Sequence, residues 1–184
     1  NAANTFGSTV TFAPAGGGLA NVTVVDDTTL DLAALSLSGN LVITATGITQ
    51  SGAFTVTGTT TLTAGALNDI TLAAANNFGG AVSVVSANNV TLVDSNTIVL
   101  GASTISGTLS VTTTTGTITD SGVLAVTGAT TLAAGGPSDI TLNDGGNFST
   151  VSVTAGNNVT LVDSNTIILG ASTVEGTPDL TTPT

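Results

Sequence analysis

Short runs of alternating apolar and hydroxyl-bearing residues recur along the whole chain. Phe54-Thr-Val-Thr57, Ala81-Val-Ser-Val84 and Thr108-Leu-Ser-Val111 each place apolar residues two positions apart, with Thr or Ser between them. A period of two predicts β-strands, and the β-branched residues Thr and Val suit a pleated surface. Gly, Asn and Asp, which favour turns, separate the runs. Because no segment shows a helical period of 3.6, the pattern predicts an all-β chain of short strands.

The strand pattern is itself repeated. The segments 88–104 and 157–173 differ at one position, and Ile48–Gly65 resembles Ile118–Gly135. A weaker copy begins at Asn21. These matches indicate a repeat of roughly 70 residues present in about two and a half copies, and we expect the sequence to be a piece of a longer array. The approximate copies are 21–65, 66–135 and 136–173.

A finer spacing within each copy predicts the fold. Asp69-Ile-Thr-Leu72 and Asn89-Val-Thr-Leu92 lie 20 residues apart. Each strand offers too few inward residues to form a core alone, whereas turns stacked at about 4.8 Å pair every backbone group and align the small aliphatic side chains. We therefore predict a parallel β-helix, or β-solenoid, with three or four coils in each repeat. The competing architecture is a string of small immunoglobulin-like sandwiches, which leaves the 20-residue spacing unexplained.

The interior of such a solenoid is narrow, so we expect bulky aromatic side chains to fit it poorly. The two ends differ from the body of the chain. Residues 1–20 are predicted to form a strand and a loop that join the first coil, and residues 174–184 a Pro/Thr-rich tail. Pro178 stands where Leu109 stands in the preceding copy, which removes a core residue and a ladder donor. The tail is thus a linker, a cap that blocks edge growth, or a diverged segment.

The amino-acid composition argues against several classes of function. The chain has 11 acidic residues and no Lys, Arg, His or Cys, which gives a formal net charge of −11. Without Lys or Arg nothing neutralises phosphate, so we expect no nucleic-acid partner. Without His or Cys there is no imidazole base, thiolate nucleophile or zinc site, and we predict that the protein is not an enzyme. No apolar run approaches the roughly 20 residues that span a bilayer.

Three aspartates at matching positions of the copies are the candidate metal ligands. They are Asp26, Asp94 and Asp163, and Asn96 and Asn165 follow the last two. Carboxylate and amide oxygens on a turn suit calcium. The alternative is an Asx turn, in which the carboxylate caps backbone N–H groups, and we favour it because each site has a single acid. Apart from calcium, no cofactor is expected.

Paired asparagines precede several predicted strands, at Asn88-Asn89, Asn157-Asn158 and Asn76-Asn77. Asparagine tolerates the left-handed αL conformation of tight turns. It also forms side-chain ladders between stacked strands. Both are structural roles, and the sequence leaves the choice between them open.

The repeat sequence has a family resemblance. The segment NNVTLVDSNTIVLGASTISGTLSV, followed by GTITDSGVLAVTGATTLAAG, resembles the repeats of large bacterial surface proteins of the filamentous-haemagglutinin and β-strand-repeat type. The similarity covers roughly residues 21–173. It implies a right-handed parallel β-helix, secretion by a Gram-negative type V route, and a role as an adhesin stalk or biofilm component.

Together these observations lead us to expect a structural protein at the bacterial cell surface: a rigid extracellular stalk, fibre or biofilm-matrix component. Unpaired strand edges at the ends of a solenoid favour end-to-end stacking, so its expected partner is another copy of itself or the continuation of its array. The alternative is an adhesin module that recognises a host or cell-surface glycan. The chain has no Tyr or Trp to stack on sugars, which weakens that alternative.

Overall fold

The computed structural model describes residues 4–14 and 16–182, and every regular element within them is a β-strand. The strands are β1 (Val22–Val25), β2 (Leu30–Leu32), β3 (Leu35–Leu37), β4 (Leu41–Thr44), β5 (Ile48–Gln50), β6 (Phe54–Val56), β7 (Thr60–Thr63), β8 (Ile70–Phe78), β9 (Val82–Ser86), β10 (Val90–Asp94), β11 (Ile98–Leu100), β12 (Ser103–Ile105), β13 (Leu109–Thr113), β14 (Ile118–Asp120), β15 (Leu124–Ala134), β16 (Ile140–Ala155), β17 (Val159–Asp163) and β18 (Pro178–Thr181).

The strands stack in parallel, each on the strand one turn earlier, to form a β-solenoid of about eight turns. Hydrogen-bonded partners in successive turns mostly lie 19 to 22 residues apart. The predicted parallel β-solenoid is therefore confirmed, whereas a string of sandwiches would pair its strands antiparallel. The turn has three faces, which we name A, B and C.

Each face is a ladder of stacked strands. Face A contains β1, β4, β7, β9, β12, the start of β15 and a central part of β16. Face B contains β2, β5, the start of β8, β10, β13, the end of β15 and the end of β16. Face C contains β3, β6 and the end of β8 in the first three turns. From β11 on, it contains β11, β14, the start of β16, β17 and β18, and this second ladder joins face A where Leu100, at the end of β11, pairs with Val82, at the start of β9.

The sequence repeat and the structural turn are out of step. Three successive pairings lead from Val22 to Val82, eight residues before its sequence equivalent, Val90. Three pairings from Val90 lead to Val151, again eight residues before the equivalent Val159. Each repeat is thus three turns plus eight residues, within the predicted three or four. Equivalent strands are consequently displaced around the solenoid. β1 lies on face A and β10 on face B, while β17 lies on the ladder that begins at β11 and joins face A through the pair Val82–Leu100.

The core is a set of inward-facing columns. On face B, the paired residues Leu30, Ile48, Ile70 and Val90 are all at most 1% exposed. Their outward neighbours are largely Thr and Ser, so the alternation of the sequence becomes an apolar interior and a hydroxyl-rich surface. The inward column of each face packs against the columns of the other two faces, and this packing forms the core of the solenoid.

Aromatic residues do occupy the interior. Phe54, Phe78 and Phe148 are among the largest fully buried side chains. The expectation that they fit poorly was wrong, because small neighbours leave room for them. At Gly146, a Cβ atom would overlap the ring of Phe148, so the missing side chain provides the space that this ring occupies.

Both ends pair with the solenoid. Isolated bridges join Asn4, Val10 and Leu19 to the turn above, so residues 4–14 and 16–19 belong to an underlying turn. Residues 1–3 and 15 of the predicted N-terminal region lie outside the described residues. The predicted tail contributes β18, which pairs with β17 along four residues. Pro178 is exposed rather than in the core, and residues 183 and 184 lie outside the described part of the chain.

Candidate functional site: the aspartate turn caps

The Asp94 carboxylate joins two turns of the solenoid. It ends β10 and is fully buried. Its Oδ2 accepts the backbone N–H of Phe78, one turn earlier, at 2.9 Å, and its Oδ1 accepts the N–H of Asn96 at 2.9 Å. The second bond closes an Asx turn. Asp94 therefore caps its own turn and holds the neighbouring one.

The other two predicted sites repeat this arrangement. Asp163 Oδ1 accepts the N–H groups of Phe148 and Asn165, both at 3.3 Å. Asp26 Oδ1 accepts the N–H of Phe6 and, within its own turn, the N–H of Thr28, also at 3.3 Å. In both residues the Oδ2 atom is buried and has no hydrogen-bond partner. The turn-capping interpretation thus describes the hydrogen bonding at all three aspartates.

Burial affects the pKa of the Asp94 carboxyl. Desolvation raises the pKa of its carboxyl above the ordinary value of 3.8, and the N–H donors of Asn96 and Phe78 offset only part of this effect. Asp120 on face C behaves similarly: burial raises its pKa, the N–H groups of Asn143 and Asp144 oppose the rise, and the Asp144 charge adds to it.

The asparagines predicted as calcium ligands make other contacts. Asn96 Nδ2 donates to Asn77 Oδ1 at 3.1 Å, and Asn165 Nδ2 donates to Asn147 Oδ1 at 2.7 Å. Both side chains are exposed and link neighbouring turns. In residues 4–14 and 16–182 no three His, Cys, Asp or Glu side chains group as a metal site would require. Calcium binding at Asp94, Asp163 and Asp26 stays a prediction.

A second acidic position forms a corner network that the sequence analysis did not identify. Asp69 Oδ1 accepts the N–H of Asn89 at 2.9 Å and the side-chain amides of Asn88 and Asn89 at 3.0 Å. Asp139 binds Asn157 and Asn158 in the same way. The signal in the sequence was the recurrence of Asp-Ile-Thr-Leu 20 residues before each Asn-Val-Thr-Leu.

These contacts lower the pKa of the Asp69 and Asp139 carboxyls, chiefly through the backbone N–H of Asn89 and Asn158 respectively. They also decide between the two roles proposed for the paired asparagines. Asn89 Oδ1 accepts the N–H of Thr108 in the following turn at 3.0 Å. Among the described residues, every positive φ belongs to glycine, so these asparagines are rungs of inter-turn ladders.

Asn76 is a further structural residue that looked like part of a surface turn. It is fully buried, and its Oδ1 accepts the N–H of Phe54 at 2.7 Å. Its amide also exchanges hydrogen bonds with Gln50 at 2.9 and 3.0 Å. No sequence signal separates this asparagine from the exposed Asn77 beside it, because burial depends on the path of the turn.

A surface depression with polar walls lies next to a protruding loop. Thr46, Thr49, Asp69 and Asn88 line it, and Leu67, which is 91% exposed, stands at its edge. Hydroxyl, amide and carboxylate groups therefore meet there without any basic side chain. No helix long and apolar enough to cross a membrane occurs in the described residues.

The match to a known protein family has the same period as the sequence repeat. Residues 19–85 and 87–155 each match the family described as repeats of unknown function, DUF5649. The chain belongs to this family. The two DUF5649 segments begin just before Asn21 and Asn89, at equivalent points of the sequence repeat, and they contain Asp26 and Asp94. No curated protein and no solved structure matches the chain.

Proposed function

We propose that this protein is a structural rod segment of an extracellular bacterial fibre, stalk or biofilm matrix, with no catalytic activity. The resemblance of its repeats to those of filamentous-haemagglutinin-type surface proteins supports this role. The observation that carries the proposal is the relation between repeat and turn. Each repeat adds three turns plus eight residues to an unbroken parallel ladder, so added repeats lengthen the rod without changing its cross-section.

The length of such a rod is proportional to its number of repeats. At about 4.8 Å per turn, one repeat adds about 16 Å along the axis. Stacking of separate chains through their unpaired strand edges is a second way to elongate, which we include in the proposal as self-association.

The composition suits an exposed matrix. No Lys or Arg is present, so the chain offers no site to trypsin-like proteases, and its net charge of −11 keeps separate rods apart. Divalent cations such as calcium would bridge these acidic surfaces laterally. Most connections between the strands are short, so the ladder leaves few long loops for other proteases to cut.

Two measurements test the proposal. Insertion of one and then two extra copies of residues 89–157 after Asn157 is expected to lengthen the particle by about 16 Å per copy in small-angle X-ray scattering, at constant cross-section. An increase in thickness instead of length would contradict the rod. Antibodies against the chain are expected to label intact cells of the source organism, and labelling only after lysis would contradict an extracellular location.

The depression beside Leu67 favours a second candidate function, an adhesin module that binds a glycan. Its Thr, Asn and Asp side chains supply the hydroxyl, amide and carboxylate groups that bind sugar hydroxyls. A glycan array tests it: a reproducible hit that is lost in Asp69→Ala, but not in Asp179→Ala, would support the adhesin. The absence of any hit would leave the structural role alone.

A further inference from the structure

Among residues 4–14 and 16–182, no strand pairs with the upper edge of β18. β18 lies on β17 through the pairs Val159–Pro178 and Leu161–Leu180. All four of its residues are exposed. The equivalent strand of the preceding copy, β13, is covered by β15 along its whole length. The upper edge of β18 is therefore the place where a further turn would add.

The backbone donors of this face follow a strict order. The first residue of each strand donates its N–H to the next turn: Ile98 to Thr117, Ile118 to Asp139, Ile140 to Asn158 and Val159 to Thr177, at 2.9–3.2 Å. The residue in this position of β18 is Pro178. Proline has no N–H, and its ring occupies the place of the missing hydrogen. The ladder thus loses its first upward hydrogen bond at this strand.

The side chain after the proline departs from the column as well. In the four strands beneath β18, from the lowest upward, the residues at this outward position are Val99, Thr119, Thr141 and Thr160, all uncharged. In β18 the residue at this position is Asp179. A charged residue on an edge strand is a common device against pairing with another chain, and proline is a second one.

This edge has apolar surface that requires such protection. Ile168, Leu169 and Leu180 are 57%, 46% and 40% exposed. Leu100, which is the equivalent of Leu169 in the preceding copy, is 2% exposed, since the next turn covers it. Without a block, the same apolar positions would favour the addition of a strand.

We propose that Pro178 and Asp179 form an edge cap that prevents a further β-strand, from a second copy of this chain or from any following segment, from pairing on β18. The inference goes beyond the proposed rod function, because it assigns a terminating role to this turn. It removes this edge from the end-to-end stacking that the proposed function includes, and it leaves covalent repeats placed before β18 as the way to lengthen the rod at this end.

The experiment compares the unchanged 184-residue chain with two variants of it. The double variant Pro178→Leu with Asp179→Thr restores a donor and an uncharged outward residue. The matched control is Pro137→Leu, which exchanges the same residue types in an exposed turn on the side of the solenoid, where the preceding copy has Leu67. Sedimentation velocity over a hundredfold range of concentration measures association, far-UV circular dichroism verifies folding, and electron microscopy shows the direction of contact.

The double variant is expected to associate end to end with an affinity at least about tenfold above that of the unchanged chain, whereas Pro137→Leu behaves as the unchanged chain does. Association of the unchanged chain as strong as that of the double variant would overturn the proposal. So would a folded double variant that stays monomeric, or equal association of Pro137→Leu. If the double variant is unfolded, the single variant Asp179→Thr replaces it, with a smaller increase expected and the same two outcomes against the proposal.

Discussion

Asp94 and Phe78 are joined by a 2.9 Å hydrogen bond from a backbone N–H to a fully buried carboxylate oxygen. The bond fixes the end of one turn to the preceding turn, and the equivalent aspartates form similar bonds to Phe148 and Phe6. The number of acceptor atoms in use differs among the three sites, however, and this difference makes the role of each carboxylate testable.

Asp94→Asn and Asp163→Asn should have unequal effects. An amide has a single oxygen, so the Asp94→Asn side chain retains one of the two accepted bonds and leaves a buried N–H unpaired, which costs about 1–3 kcal/mol of unfolding free energy. At Asp163 a single oxygen accepts both N–H groups, and we expect a change below about 1 kcal/mol. Urea unfolding measures both, and equal losses would argue against this assignment of acceptors.

Calcium should leave the thermal stability of the chain unchanged beyond its effect on ionic strength. The Asp94 oxygens already accept backbone N–H groups, and a bound cation would have to displace those donors. The measurement is the melting temperature in calcium, in magnesium, in sodium chloride of equal ionic strength, and in chelator. A rise specific to calcium that disappears in Asp94→Asn would instead establish Asp94 as a ligand.

Stability should pass through a maximum as the pH is lowered. The pKa values of Asp94 and Asp120 are raised in the folded protein. Their contribution to folding stability is therefore fully present below pH 3.8, the ordinary pKa, and is lost as the pH rises through their folded pKa. Asp31, Asp69 and Asp139 have lowered pKa values. Their contribution is present above 3.8 and is lost as the pH falls through their folded pKa.

The melting temperature should therefore rise as the pH falls from about 7 toward 3.8, aided by the reduction of the net charge, and then fall at lower pH. The double variant Asp94→Asn with Asp120→Asn should flatten the first part of this curve, because the groups that bind protons there are absent. A melting temperature that falls steadily from neutral pH downward would contradict the prediction.

Thr60→Val and Thr130→Val should each stabilise the fold by about 1 kcal/mol. Both hydroxyls are fully buried without a hydrogen-bond partner, and valine keeps the shape while removing the unpaired polar atom. Thr131→Val, at the half-exposed outward position next to Thr130, is the control and should change stability by less than about 0.5 kcal/mol. Thermal unfolding decides; a loss of stability in both buried variants would mean that their hydroxyls find partners.

The corner networks were the part of the molecule that sequence reasoning located least well. The positions of Asp94 and Asp163 were found because they recur in an almost identical segment. The 20-residue spacing from Asp69 to Asn89 was visible, but the hydrogen bonds between the two were not predicted from it. Asn76 was assigned to a turn or a ladder, whereas it is buried and bonds Gln50, 26 residues away. Turns differ in length, so the average spacing does not give each contact across turns.

By itself the sequence determined the fold class and its construction. Alternation of Val, Ile and Leu with Thr defines strands with one buried side, and the 20-residue spacing requires that those strands stack in parallel. Only the tertiary structure decided that a repeat equals three turns plus eight residues. The hydrogen-bond ladder joins turns of unequal length, so the phase between repeat and turn accumulates along the chain. Asp26 and Asp94 therefore make the same kind of bond, to the backbone N–H of a Phe in the preceding turn, although β1 and β10 lie on different faces.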